Sequence, residues 1–553
     1  MTSMPSSAER MESEETNLAG LVLRHAAEKP DHPALIVPTD FDAEKVLSEE
    51  VVTYGELAER VSRLRAGLAD AGIFAGDRVV VMFGVRTDLY VLVLALLASG
   101  VAVVLIDTGM GKKGVIQALK LADAKAIVSM DDVLRHRMWL RALWGLKRYS
   151  VDRARWGVRH LSELEDFEPS TEPPRHRPPQ SPGLITFTSG TSGQPKGANR
   201  THDLLIAQHH ALAEHFPATD DEVDMPCFPV VVLHNLCCGI TTVIPAVDFR
   251  APAKVEPEVV VSQIKKHGVT RVAGAPAYLT RIADHLRETG EELDTVRTVG
   301  CGGAPTPTTL CEKLVETLPE AEKLIIYGST EAEPVSSTTM EESLEADGEG
   351  YLVGRLAKAA TVALVKLPDL PPVLDEREMN PFEVAPGEVG ELVVRGPHVL
   401  RGYVDNREAD KETKLPAPDG GVWHRTRDLA RVDDDGRYWL LGRTNDVFLH
   451  AGLTVYPFPI EAKLDAIEGV RYSAVLAHPL AASGEVLLQL KVGVASDKKA
   501  RAAVVDEVRR WLDDHGFQAM PLELISEMPV DARHNSKIDR VTLRRRRQRK
   551  LAR

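Results

Sequence analysis

LITFTSGTSGQPKG, residues 184–197, is the stretch on which the reading of this chain turns. LITFT (184–188) is a short apolar run rich in β-branched and aromatic residues, the composition of a buried strand. It leads directly into Ser189-Gly190-Thr191-Ser192-Gly193-Gln194-Pro195-Lys196-Gly197. Glycines let backbone N–H groups come close to a polyanion, the hydroxyls of Thr188, Ser189, Thr191 and Ser192 supply donors, and Lys196 adds a flexible positive charge. The combination predicts a loop that holds a polyphosphate. It is not the G-x-x-x-x-G-K-[ST] loop, because Gly190 and Lys196 are spaced differently and a glycine follows the lysine. The bland alternative is a Gly/Ser surface loop, and the preceding strand and the lysine argue against it.

Upstream, helix and strand patterns alternate. LAGLVLRHAAEKP reads as an amphipathic helix stopped by proline, VVTYGELAERVSRLRAGLADAG as a strand running into a helix, and DRVVVMF and AKAIVSM as strands. Repeated β-then-α order with apolar strands predicts an α/β fold of mostly parallel, buried sheets flanked by helices. The long apolar run LYVLVLALLASGVAVVLI (89–106) is borderline in length for a membrane span. Ser99-Gly100 divides it into a Leu/Ala half and a Val half, which predicts a buried helix, a turn and a buried strand. Proline-rich stretches at 168–183 and 367–386 read as linkers, and beyond the second the pattern turns strand-rich.

The chain has 553 residues, 44% hydrophobic and 27% charged, with a net charge of −14. That balance is globular, and the negative sign argues against nucleic acid as the main partner. Five cysteines show neither zinc spacing nor a disulfide framework, which suits a reducing, cytoplasmic setting. The polar, acidic first residues lack the basic start and apolar stretch of a secretory leader. The expected organisation is a disordered lead-in (1–16), a large N-terminal lobe (17–441), a small mobile α+β domain (442–540) and a basic tail (541–553).

T-S-G-T-S-G-x-P-K-G resembles the signature of the adenylate-forming superfamily of AMP-binding enzymes. That resemblance implies ATP and Mg²⁺ as cofactors and a β-barrel-like subdomain in the large lobe. Further motifs follow in the family's order. Gly302, Gly303 and Ala304, in CGGAP, resemble the turn against which adenine lies. Tyr327-Gly328-Ser329-Thr330-Glu331 resembles Y-G-x-T-E, which implies Tyr327 and Gly328 at the adenine, Thr330 on the α-phosphate and Glu331 on the metal. A hard cation takes carboxylate oxygen, so the residue type fits. Asp428, in His424-Arg425-Thr426-Arg427-Asp428, matches the acid that takes both ribose hydroxyls. Arg427 stands where the family has glycine, which brings the local backbone into question. Arg443 matches the arginine that reaches ribose and phosphates, and Asn445-Asp446 lies at the hinge. Lys537 occupies the place of the lysine that bridges carboxylate and α-phosphate.

The residues around Lys537, P-V-D-x-R-H-N-x-K-I, are similar to the β-lactone synthetases of bacterial olefin biosynthesis, as are those of residues 223–272. In that family the β-hydroxyl of a long-chain β-hydroxy acid attacks its own acyl adenylate. Thioester-forming members usually carry G-K beside the lysine and often a histidine at the acyl pocket, and His234 stands in that place. His234 could orient the hydroxyl or act as its base; a satisfied core histidine is an equal alternative. The acyl-pocket candidates are 230–238 and 275–278. The implied function is ATP-dependent activation of a long-chain β-hydroxy fatty acid, then closure to a β-lactone. The alternatives are an acyl-CoA or acyl-carrier ligase and a non-catalytic binding scaffold. Enzymes of an olefin pathway are the implied partners. A tryptophan- and arginine-rich segment, 135–160, reads as a helix that either contacts a membrane surface peripherally or packs on its own lobe.

Overall fold

The computed structural model describes residues 16–189, 195–366, 383–450, 453–477, 486–492, 498–518, 520–525, 528–531 and 536–551. The apolar run resolves as read. Thr87–Ala98 is a helix with every residue but Asp88 buried, Gly100 turns the chain at φ +70, and Ala102–Ile106 is a strand. Leu18–Glu28 and Tyr54–Asp70 pack around that helix in the largest core cluster. A capping box fixes where the second of these starts: Thr53 Oγ1 accepts from Glu56 N at 3.2 Å, and Thr53 N donates back to Glu56 Oε2 at 2.8 Å. Such a cap contributes about 1 kcal/mol. Among the described residues no helix is long and apolar enough to cross a membrane.

Two sheets carry the large lobe, in agreement with the α/β expectation. In the seven-stranded sheet the spatial order is Arg159–His160, Lys147–Ser150, Ala126–Ser129, Arg78–Met82, Ala102–Ile106, Pro182–Ser189 and Pro195–Thr201. All its pairs are parallel except the last, where the chain hairpins back from Pro182–Ser189. The glycine loop therefore leaves the carboxyl end of a parallel strand, the edge at which open α/β sheets hold ligands. In the fourteen-stranded sheet a parallel block ends at Glu322–Ser329, which pairs antiparallel with Ala332–Thr339. The turn between these two carries Thr330 and Glu331. The sheet then continues antiparallel through Tyr351–Leu356, Tyr438–Arg443, Val422–Val432 and Gly390–Arg395.

Arg443 ends the last strand bonded to the large sheet. Beyond it, Val470–Ala477, Val486–Val492 and Leu522–Leu524 form a separate three-stranded sheet. Its helices Pro457–Asp465 and Lys498–Asp514 close a core of their own around Ile460, Leu464, Val475, Val508 and Leu512. The final helix, Arg540–Leu551, packs Leu543 against Ala474, Leu476 and Met528.

Two expectations need correction. The 168–183 stretch is no loose linker: Arg65 donates to Glu172 O at 2.7 Å and Pro173 O at 2.9 Å, and Asn17 Nδ2 to Arg175 O at 3.1 Å. Segment 135–160 is not a helix. It contains only a 3₁₀ turn, Arg141–Leu143, and the strands Lys147–Ser150 and Arg159–His160. Gly145 and Gly157 adopt φ +80 and +70, left-handed turns that a continuous helix excludes.

Candidate active site

Asp428 and Arg443 face each other on neighbouring antiparallel strands. Arg443 Nε lies 3.1 Å from Asp428 Oδ1, and Tyr327 OH donates to Oδ2 at 2.8 Å. Arg443 Nη2 donates to Thr426 O at 3.0 Å, and Asp428 N to Thr426 Oγ1 at 3.0 Å. A carboxylate offers about four acceptor sites. With one spent on each oxygen, Asp428 keeps capacity for the two hydroxyls of a ribose. Burial, reinforced by the charge of Asp428, pushes the Tyr327 phenol well above its ordinary pKa, so it stays a donor. The Asp428 charge likewise raises Arg443. Arg427, at the position where glycine was expected, has φ +62. The backbone therefore keeps the left-handed conformation that glycine adopts freely, and arginine bears it.

The residues expected at the adenine come from the ends of two parallel neighbours. Thr298–Gly302 ends at Gly302, followed by Gly303 at φ +83 and Ala304. Across from it, Tyr327 and Gly328 end Glu322–Ser329. A Cβ at Gly328 would stand 2.9 Å from Ala332 O and 3.1 Å from Glu333 Cα, so only glycine fits this tight turn.

Of the residues expected at the phosphates, Gly190, Thr191, Ser192 and Gly193 lie outside the described residues, and Thr188 and Ser189 are described in backbone only. Lys196 is brought beside the metal candidate: its Nζ sits 5.5 Å from the centre of the Tyr403 ring, whose hydroxyl donates to Glu331 Oε1 at 2.7 Å. A second ammonium, Lys414, lies 5.6 Å from the centre of that ring. Its Nζ donates to Leu400 O at 2.5 Å and meets His424 Nδ1 at 3.2 Å. Arg200 Nη2 donates to Thr330 O at 3.3 Å. Burial alone would raise the Glu331 pKa, yet His424, Lys414, the Tyr403 hydroxyl and Arg200 bring it down to about 2. Burial holds His424 itself at about 3, so at neutral pH the other three groups do this work. Burial lowers Lys414 to about 7. An ionised carboxylate suits a hard cation.

Lys537 stands on a loop that Asp531 shapes. Asp531 Oδ1 accepts from Ser536 N at 3.2 Å and Lys537 N at 2.9 Å, and Asp531 N donates to Lys537 O at 2.8 Å. Ala277 N of the large lobe donates to Ser536 Oγ at 3.1 Å. The ammonium consequently senses both lobes. Surrounding protein and Arg443 lower its pKa, while Asp428, Asp531 and Glu331 oppose the shift. Part of the residue remains solvent-exposed. At the hinge, Asp446 is buried between Arg544, at 2.5 Å, and Arg540, at 3.4 Å.

His234 is enclosed by protein. It is buried on helix Pro229–Cys238, with Nδ1 3.0 Å from His209 Nδ1 and Nε2 3.5 Å from Cys238 Sγ. The donor atoms of His209, His234 and Cys238 lie within 4.8 Å of one another. His234 turns a different nitrogen to each neighbour, so the three form a hydrogen-bonded chain. Burial keeps His209 at about 3 and His234 far below the usual imidazole range, so both are neutral at pH 7.

The sequence reading missed Tyr403, Lys414 and Arg200. Tyr403 and Lys414 come from irregular chain and a three-residue strand, Lys414–Pro416, whose local pattern carries no signal. Arg200 stands on the strand directly after Lys196 and was within reach of that motif.

Asp428, Tyr327 and Arg443 are thus joined on neighbouring strands, Glu331 and Lys196 meet at Tyr403, and Lys537 lies on the loop bonded to Ala277. Residues 22–404 match the AMP-binding enzyme family, and the chain belongs to it. It is an adenylate-forming ligase. It is 30% identical over 549 residues to the olefin beta-lactone synthetase of Xanthomonas campestris pv. campestris, covering 95% of this chain and 96% of that one. A feruloyl-CoA synthase of an Amycolatopsis species is 30% identical over 448 residues, covering 79% of this chain and 82% of that one. Among solved structures, ATP-bound MatB from Rhodopseudomonas palustris superposes with a TM-score of 0.77 at 23% identity, covering 96% of this chain and 99% of that one.

Proposed function

We propose that the chain activates a long-chain β-hydroxy fatty acid as its acyl adenylate and then lets the β-hydroxyl displace AMP, giving a β-lactone. The observation that carries this reading is the end-to-end likeness to an olefin beta-lactone synthetase, joined to the P-V-D-x-R-H-N-x-K-I sequence at 529–538.

In the first half-reaction a carboxylate oxygen attacks the α-phosphorus and pyrophosphate leaves. Both reactants are anions, so the protein's work is positioning and charge neutralisation. Asp428 takes the ribose, Tyr327 and the turn at Gly302, Gly303 and Ala304 border the adenine, and Thr330 bonds the α-phosphate. Residues 188–193, Lys196 and Arg443 hold the phosphates, and Lys537 brings its charge between carboxylate and α-phosphate. Glu331 would hold Mg²⁺, which would supply further neutralisation of charge. In the second half-reaction the nucleophile is tethered to its target, which is what makes closure of a strained ring feasible. His234 is assigned to the β-hydroxyl as orienting group or base, in its neutral form, with one ring nitrogen released from His209 or Cys238. The long apolar chain is assigned to the region of 230–238 and 275–278, and olefin-pathway enzymes are the expected partners.

The likeness to a feruloyl-CoA synthase favours a second reading, in which coenzyme A takes the acyl group. Incubation of enzyme, ATP, Mg²⁺ and a β-hydroxy fatty acid without coenzyme A separates the two. AMP release with a β-lactone product is expected. AMP turnover that depends strictly on coenzyme A would reject cyclisation.

A further inference from the structure

Tryptophan carries more apolar area than other side chains and is highly buried on average. Trp139, Trp144 and Trp156 are nevertheless 83%, 57% and 86% exposed, and Met138 is 65% exposed. Trp423 and Trp439, by contrast, belong to the core. The three exposed indoles share one surface at the outer edge of the seven-stranded sheet. Trp144 Nε1 donates to Arg137 O at 3.0 Å, and Arg137 Nη2 donates to Trp156 O at 2.8 Å. Leu134, Leu143 and Val158 lie buried beneath them, so the backbone is anchored while the rings point outward.

Charge on this surface runs against the rest of the chain. Residues 131–157 hold seven Lys and Arg against three Asp in a protein of net charge −14. Asp131 pairs with Arg153 and Arg155, and Asp132 with Arg135. Arg148 spends its donors on Gly157 O and Leu143 O, and Arg141 lies 5.8 Å over the Trp144 ring. The result is a basic island with indoles between its cations. Indole is the side chain that settles at the boundary between headgroups and acyl chains, and arginine meets lipid phosphate with its stem against apolar surface.

We propose that the edge formed by residues 135–157 docks on the surface of an anionic lipid bilayer, with Trp139, Trp144 and Trp156 entering the interface and the arginines facing phosphate headgroups. Such docking places the ligase where a long-chain acid is dissolved. The binding itself is independent of which nucleophile takes the acyl group.

The full chain is mixed with vesicles of phosphatidylglycerol and phosphatidylcholine, or of phosphatidylcholine alone, and binding is read by co-sedimentation and by tryptophan emission. Binding to the anionic vesicles, a blue shift and weakening by salt are expected. The Trp139→Ser/Trp156→Ser variant should bind at least about tenfold more weakly. Its adenylation of a water-soluble short acid should be unchanged, since neither ring touches the cleft. An Arg137→Gln/Arg141→Gln variant should lose the salt-sensitive part. No binding by the wild type, or equal binding by the tryptophan variant, would overturn the proposal. Loss of binding only in Arg545→Gln/Arg546→Gln would overturn it in favour of the C-terminal helix. Self-association abolished by the tryptophan substitutions, without vesicle binding, would overturn it in favour of a second copy of the chain.

Discussion

Ala277 N donates to Ser536 Oγ at 3.1 Å, and this bond ties the loop that bears Lys537 to the first turn of helix Pro276–Thr289 in the other lobe. The N–H is one of the donors that a helix start leaves without an intrahelical partner. The bond thus holds the small domain to the helix end in the orientation in which Lys537 senses Asp428 and Glu331. Ser536→Ala removes the acceptor but leaves the amide able to take water. A single bond of this kind is worth about 1 kcal/mol, so adenylation should fall by roughly fivefold. Single-turnover measurement of acyl-adenylate formation, with nucleotide affinity unchanged, is the check.

Arg427 pays a conformational penalty beside Asp428. At φ +62 a residue with a Cβ is disfavoured by about 1 kcal/mol relative to glycine. Its contact with Glu412, at 3.3 Å, lies on the surface and returns little. Arg427→Gly should therefore raise the unfolding free energy of the large lobe by about 0.5–1 kcal/mol, with adenylation unchanged. Denaturant titration reads the first quantity and pyrophosphate exchange the second. A destabilised glycine variant would show that the arginine side chain matters more than the backbone.

Glu331 links the site to pH. Its folded pKa of about 2 lies below the ordinary carboxylate value of about 4.3. For a depressed acid the stabilisation is present above the unfolded pKa and is lost as pH falls through the folded one. Wild type should thus lose on the order of 3 kcal/mol more than Glu331→Gln between about pH 5 and pH 2. Urea unfolding midpoints of the two proteins across that window test it. Between pH 6 and 9 the carboxylate does not titrate but Lys414, at about 7, does, and Glu331→Gln removes a charge that holds Lys414 up, so the variant's catalytic loss should vary with pH through the Lys414 transition.

Much of this was legible in the chain because local pattern and global role coincide there. The Ser99-Gly100 break separated helix Thr87–Ala98 from strand Ala102–Ile106, and the strand before Lys196 lies in the parallel sheet as read. Tyr327, Asp428 and Arg443 were found through motifs, and the structure brings them within hydrogen-bond distance. Lys414 escaped because its significance comes entirely from what surrounds it, a tyrosine ring and a buried histidine contributed by other segments. Segment 135–160 misled for the opposite reason. Its mixture of indoles and cations has the composition of an interfacial helix, but two left-handed glycines decide the backbone.

Pyrophosphate exchange by wild type and Lys537→Ala tests the central claim most directly, because it isolates adenylation from whatever takes the acyl group. Removal of one preorganised charge at the reacting phosphorus should lower exchange by about 10²–10³-fold. ATP binding, measured separately, should change by no more than about threefold, since Asp428, Arg443 and Lys196 remain. Exchange at the wild-type rate in Lys537→Ala would contradict the assignment of that ammonium to the reaction.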